Sequence, residues 1–410
     1  MIDFPNAPTT GQIFTAPNGT QWTWDGAKWT QGATSSGFLP LAGGTMTGDI
    51  VLKGDATAAL NPVSLQQLDA IARYRNRIIN GDMSVDQRNG GNLVAAPANS
   101  VAYAIDRWKF SISATPSKGN IGQAGLSTAS MIPGQPFQYA FAWQTTTAYT
   151  PGAADYIQLT SYIEGYNFND ALWGTANAQP VTIEFWVLAS VIGTYGGAIQ
   201  NFNQTRSYVF TYSVPTMAWT KIRVTIPGDT AGAWFVAANA GAAQVSFSLG
   251  TGATYSHAAG AWAAGNFIDA PGTVKPIATN GATWYVTGVA LMVGAAAANA
   301  EPEFRKYSDN LIDCQRYYQK IGGVVAMDLY FQAYVATGGA LSAGWSLRIP
   351  TMRAAPTSAF AGAAWTQTNV SAQYLYAGAN SYAVQLSGAA TGTINLSTNV
   401  GSFITLDADF

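Results

Sequence analysis

The sequence predicts a mainly β protein: an N-terminal β-meander, a short helical neck, an antiparallel jelly-roll sandwich and a β-rich C-terminal tip domain. Short runs of alternating apolar and polar residues, parted by Gly- and Pro-containing turns, fill most of the 410 residues. The 13 Trp, 20 Tyr and 18 Phe give enough burial capacity to exclude disorder. Charged residues make up 10% of the chain, against roughly 25% in an ordinary soluble domain. The 43 Gly and 18 Pro break every apolar run short of the roughly 20 residues that span a bilayer, so no membrane insertion is expected.

Residues 1–35 read as a three-stranded meander. Asn18-Gly19 and Asp25-Gly26 are the dipeptides that most favour tight hairpin turns, because both central positions need positive φ. Trp22 and Trp24 fall two apart on one strand face, and Trp29 follows the second turn. A piece this short has too little surface to bury for stability on its own. The three tryptophans are therefore read as a docking surface for a larger particle or another copy, with a sugar platform as the alternative. Residues 36–60 hold a short strand pair broken by Gly43, Gly44 and Gly48, in which Ile50 and Leu52 alternate with Asp49, Val51 and Lys53.

Residues 61–79 read as a helical neck. Asn61-Pro62 suits an N-cap and first turn, and Leu65, Leu68, Ile71 and Ala72 step at helical spacing. A lone helix of about 15 residues is marginal in water, so Ile50, Leu52, Leu65, Leu68, Ile71 and Ala72 are expected to associate between chains. Arg73, Arg75 and Arg77 form the solvated or partner-facing side.

From 80 to 304 the strands multiply. Val181–Val187, Tyr208–Tyr212, Lys221–Ile226, Ala243–Leu249 and Thr283–Val286 alternate or run apolar, and Pro-Gly turns at 133, 151, 227 and 271 punctuate the segment. Short strands without helical period predict a two-sheet sandwich or jelly roll. At 305–321 the spacing of Tyr307, Leu311, Cys314 and Tyr318 predicts a capping helix with those four on one face and Cys314 as a small buried hydrophobe. Residues 322–410, with five charges, form a last β-rich region.

The composition also excludes chemistries. A single His257 and a single Cys314 leave no His- or Cys-rich metal site and no intrachain disulfide, so neither metal nor cofactor is expected. A formal charge of −2 is a poor match for nucleic acid, which rewards phosphate neutralisation. Met1–Pro5 has neither a basic stretch nor an apolar one, so assembly in a cytoplasm is expected.

Leu39-Pro40-Leu41-Ala42-Gly43-Gly44-Thr45-Met46-Thr47-Gly48-Asp49-Ile50 resembles the short repeat of tailed-phage tail fibres. Asn76–Met83, Asp86-Gln87-Arg88 and Asp106-Arg107-Trp108 are similar to the opening of a sandwich domain in phage tail proteins. Glu303–Tyr307 and Cys314–Tyr318 are similar to its close, and Pro350–Thr357 to a phrase of the distal domain that follows. The resemblance implies a virion tail protein, typically a homotrimer, with an N-terminal piece on other tail or baseplate proteins. It places a receptor-binding end at the distal domain. A single repeat, where long fibres have many, implies a short fibre or spike; a capsid fibre or decoration protein is the neighbouring alternative.

Binding is expected over catalysis. A catalytic triad would have to use the loop residue His257. A depolymerase needs only two carboxylates roughly 5–10 Å apart, and Asp155, Glu164 and Asp170 are the candidates, though nothing in their spacing pairs them. Adhesion to host polysaccharide or lipopolysaccharide needs aromatic faces for sugar C–H groups and amides or hydroxyls for sugar oxygens. Two sets offer them: Tyr255, His257 and Trp262 in the sandwich, and Trp365, Gln367, Tyr374, Tyr376 and Tyr382 in the tip, which is favoured.

Overall fold

The computed structural model describes residues 3–31, 76–114, 117–128, 130–234, 239–295, 304–336 and 342–410. The fibre repeat and the positions Ile50, Leu52, Leu65, Leu68, Ile71 and Ala72 lie outside them. The chain divides into two units, Met1–Ser64 and Leu65–Phe410.

In the first unit β1 (Ile13–Thr15), β2 (Gln21–Trp24) and β3 (Trp29–Gln31) form the antiparallel meander. Gly19 and Gly26 take φ of +82° and +103° at its two turns, a region that L side chains avoid. The tryptophans have partners inside the unit: Phe4 stacks on Trp29 at 5.2 Å and meets Trp22 edge-on at 5.4 Å, and Trp24 opposes Trp29 across the strands. Among the described residues of this unit no aromatic ring is fully buried. Its cluster is a half-core.

The sandwich follows the strands β4 (Val94–Ala95), β5 (Ser100–Ile105), β6 (Trp108–Ile112), β7 (Gly119–Gly125), β8 (Tyr139–Thr145) and β9 (Tyr156–Glu164). It continues with β10 (Val181–Ala189), β11 (Gly193–Asn201), β12 (Arg206–Val214), β13 (Thr220–Ile226), β14 (Gly241–Thr251), β15 (Trp262–Ala264) and β16 (Thr283–Val293). A six-stranded sheet runs β13-β10-β16-β8-β7-β4 and a seven-stranded sheet runs β15-β12-β11-β14-β9-β6-β5. All pairings are antiparallel. Aromatic rings from the two sheets meet in the core: Phe110 stacks on Trp143 at 5.3 Å, and Phe247 packs against Phe185 and Trp284. Asn76–Ile79, expected as the end of the neck, instead lie against β16. There Asn76 bonds Val289 O and Leu291 N, and Arg77 N donates to Leu291 O.

Helix α1 spans Tyr307–Gln315. Its buried residues are Asn310 and Cys314, one turn apart. Tyr307 is exposed, which corrects its expected place on the buried face. Asn310 takes the inner position because it has polar work there: its side chain meets Asn80 N, Asp82 and Ser84. The helix also stops short of Tyr318. Tyr318–Ile321 form β17, which pairs with the last strand of the tip.

The tip adds β18 (Tyr330–Val335), β19 (Ser342–Arg348), β20 (Thr357–Gly362), β21 (Thr366–Thr368), β22 (Val370–Gly378), β23 (Ser381–Gly388), β24 (Gly392–Ser397) and β25 (Ser402–Asp407). They make three three-stranded sheets, β17-β25-β20, β18-β24-β21 and β19-β23-β22. Each central strand alternates, and its inward residues share one core: Val384 and Leu386, Ile394 and Leu396, Ile404 and Leu406.

A charged junction ties tip to sandwich. Asp106-Arg107 is the two-residue turn between β5 and β6, with Arg107 at φ +71°, a costly backbone for a side chain of that size. Arg107 is buried, pairs with Asp409, donates to Tyr162 O and lies over the Tyr317 ring at 3.4 Å. Arg88 pairs with Asp407 and Asp409 and lies over Tyr318 at 3.8 Å. Arg353 donates to the backbone oxygens of Ala408, Asp409 and Asn239. The strained turn is held from every side.

Candidate functional site

The tip sheet β19-β23-β22 turns one face to its core and leaves the other open. Alternation along β22 sends Leu375 inward and Tyr374 and Tyr376 outward. The two rings are 47% and 55% exposed, 6.4 Å apart and within 23° of parallel. Strand register sets their surroundings. Tyr374 lies across from Gln385 and then Gly344, Tyr376 from Ala383 and then Ser346, and the row beyond is Gly378, Ser381, Arg348. Two rings therefore stand beside a floor of small residues, edged by one amide and one guanidinium. Arg348 is exposed and in no ion pair among the described residues. A Cβ added at Gly344 would meet only Val384 O, at 3.8 Å, so the backbone does not require glycine there.

The other tip candidates are placed elsewhere. Tyr382 is 3% exposed, on the inward side of β23, which corrects its reading as a ligand-facing residue. Trp365 packs on the tip core, edge-on to Phe360 at 5.1 Å, with its Nε1 enclosed. Gln367, on β21, donates to Gln373 on the inward side of β22.

The sandwich candidates do not converge either. Tyr255 rests edge-on against Tyr156, and His257 lies on Phe267 with Nδ1 3.0 Å from Ala258 O. Trp262 is part of an aromatic cluster with Trp173 and Trp234, and its Nε1 donates to Pro227 O. Three aromatic residues close in sequence have three separate jobs.

The carboxylates considered for cleavage are also dispersed. Asp155 and Glu164 sit at opposite ends of β9, about 25–30 Å apart at the usual strand rise, too far to act together. Asp155 accepts from Tyr149, Gly152 and Ser113, and these bonds hold its carboxyl below the usual range. Asp170 is paired with Arg77. Glu164 takes both guanidinium bonds of Arg316 at the edge of a cleft of about 390 Å³, which Asp82 and Asp313 also line. Burial raises the Asp313 carboxyl despite Arg305 beside it. Among the described residues no His, Cys, Asp and Glu cluster suits a metal ion, and no helix is long and apolar enough to cross a membrane.

A larger cleft, of about 720 Å³, opens on the sandwich at the edge of β7 and β8, between the Asp82–Gly91 segment and the start of α1. Sequence reasoning missed it, because its walls come from segments more than 200 residues apart. Exposed Tyr307, read as a core residue, was its one visible sign.

No family model and no curated protein matches the chain. Solved structures give distant likenesses. The enzymatically active domain of tailspike protein 4 of bacteriophage CBA120 aligns at 12% identity and TM-score 0.29, over 54% of this chain and 22% of that one. TmCBM61, solved with β-1,4-galactotriose, aligns at 8% and 0.27, over 53% and 99%. A family 11 carbohydrate-binding module of Clostridium thermocellum, solved with a mixed-linked tetrasaccharide, aligns at 10% and 0.23, over 48% and 95%. The chain thus spans about a fifth of the tailspike chain. At these TM-scores the likenesses carry no argument about function.

Proposed function

We propose that the chain is a non-enzymatic subunit of a phage tail fibre or spike, a homotrimer that binds the virion through its N-terminal meander. Its open tip face adheres to host surface polysaccharide or lipopolysaccharide. The observation that carries this reading is the exposed, near-parallel Tyr374–Tyr376 pair on a floor of Gly344, Ser346 and Ala383. The π-faces of the rings are electronegative and attract the weakly positive C–H face of a sugar. Flat small residues beside them leave room for the ring, and Gln385, Ser346 and Arg348 meet its hydroxyls or charged substituents.

The fibre resemblance at Leu39–Ile50 supports the setting. Exposed Val324, Val325, Met327 and Val400 support self-association, since adjacent loops bring them to one end of the tip and water disfavours such a patch. Two measurements test the reading. Light scattering is expected to give three times 43.1 kDa, about 129 kDa. Tyr374→Ala with Tyr376→Ala is expected to lower attachment to host cells at least tenfold while leaving that mass unchanged; retained attachment would remove the tip face.

The depolymerase spike is the second reading. The 390 Å³ cleft favours it, because Glu164, bonded to Arg316, and Asp313, whose carboxyl burial raises, line the same cavity. Release of reducing ends from host polysaccharide, abolished in Asp313→Asn, would establish it in place of pure adhesion.

A further inference from the structure

The 720 Å³ cleft on the sandwich is built from three parts. Phe137 and Tyr139 of the β8 approach give an aromatic wall. Tyr307, the first residue of α1, also lines it and is 59% exposed although its ring is large. Asp82, Ser84 and Gln123 give the cleft its polar groups.

The polar groups are fixed before any ligand arrives. Asp82 receives Ser84 and Asn310 on Oδ1, which leaves Oδ2 with no hydrogen-bond partner among the described residues. No cation pairs with Asp82 there either, and burial raises its carboxyl. Gln123 is held by donating Nε2 to Met83 O. Asp86 spends both oxygens on Asn89 N and Gly91 N, and so shapes the Gly90-Gly91 rim rather than meeting a ligand. The cleft thus offers fixed acceptors from a carboxylate and an amide, together with two tyrosine rings, and no cation in its lining.

We propose that this cleft is a second glycan site, on the sandwich, for a neutral hydroxyl-rich oligosaccharide. A carboxylate oxygen accepts from sugar hydroxyls, Gln123 Oε1 accepts from another, and the Tyr307 and Tyr139 rings meet the sugar's C–H groups. A buried acceptor with no cation beside it rewards a neutral donor and repels an anionic sugar. The site is independent of the tip reading. It makes the sandwich a binding module, where the fibre reading needs it only as a spacer.

The test titrates the full chain, by isothermal calorimetry or protein-observed NMR, with cellotriose, maltotriose, β-1,4-galactotriose and mannotriose at up to 10 mM. At least one is expected to bind, and trigalacturonate to bind at least tenfold more weakly. Tyr307→Ala, which removes an exposed ring and leaves the thermal transition unmoved, is expected to lower the affinity at least tenfold. Asp82→Asn, which keeps an acceptor for Ser84, is expected to do the same and to relax the preference against trigalacturonate. Binding that survives both substitutions, or that is lost only in Tyr374→Ala with Tyr376→Ala, overturns the site and places the sugar at the tip. No binding of any trisaccharide at 10 mM overturns it as well.

Discussion

The junction between sandwich and tip and the open face of β19-β23-β22 treat polar chemistry in opposite ways. At the junction Arg88, Arg107 and Asp409 are drawn inside, paired together with the half-exposed Asp407 and roofed by Tyr317 and Tyr318. On the open face Tyr374 and Tyr376 stand half in water, and Arg348 has no carboxylate partner among the described residues. A chain with so few charges has placed several of them where they fix domain geometry. Its outer tip face is left to rings and small polar groups. One region specifies shape, and the other is free to specify contact.

The largest effect is expected from breaking the junction. Arg107→Ala leaves the buried Asp409 with Arg88 as its one remaining ion-pair partner among the described residues, and removing one member of a buried pair costs about 3–5 kcal/mol. Denaturant unfolding is the measurement, and a loss under 1 kcal/mol would mean that the pair is not structural.

A second, smaller effect depends on pH. Burial pushes the Asp106 carboxyl up to about 7, against the opposing Gln87 hydrogen bond and the Arg88 charge, and its Oδ1 stays 3.8 Å from Arg88 Nε. A raised folded pKa adds stability that is complete below the unfolded value near 4 and is lost as pH rises toward 7. Relative to wild type, Asp106→Asn is therefore expected to gain stability between pH 5 and pH 8 by a few kcal/mol, since it still accepts from Gln87. Parallel melting temperatures at both pH values would sink this account.

The open face is expected to respond in the reverse sense. Tyr374→Ala and Tyr376→Ala change stability by no more than about 0.5 kcal/mol, as exposed substitutions do, while attachment falls. The smallest stability change is expected from Gly344→Phe, because the space above Gly344 is open and a strand accepts an aromatic residue. That ring fills the floor beside Tyr374, so attachment drops with no shift in melting temperature. If Gly344→Phe adheres normally, the floor is not part of the contact.

The frame of this division was legible in the sequence. The phrases Asn76–Met83, Asp86-Gln87-Arg88, Asp106-Arg107-Trp108 and Cys314–Tyr318, which resemble the two ends of a sandwich domain, meet around the junction. Asn80 shows why: its side chain bonds Val85 and Asp106 backbone atoms, its backbone N–H donates to Asn310 Oδ1, and its carbonyl accepts from Trp108 Nε1. Such a hub tolerates few residue types, so it leaves a recognisable phrase. Strand periodicity and the Asn-Gly and Asp-Gly turns gave the sheets, because a period of two needs no tertiary information. Which tyrosine faces out needed register: Tyr376 and Tyr382 are both strand tyrosines, and only pairing with Ala383 or Ala377 puts one outside and the other in the core. The cleft beside Tyr307 was out of reach for the same reason, as its walls are joined only by folding.

The placement of Asp407 and Asp409 bears on how the tip could be exchanged for another. The chain's final strand returns to the sandwich, so a tip exchanged as one block from residue 322 onward would arrive without matched partners for Arg88 and Arg107. An exchange confined to β18–β19 and β21–β24 keeps β17, β20, β25 and the arginine clasp of the recipient. The interchangeable part is thus two interior inserts, one on each side of β20, framed by the strands that anchor them.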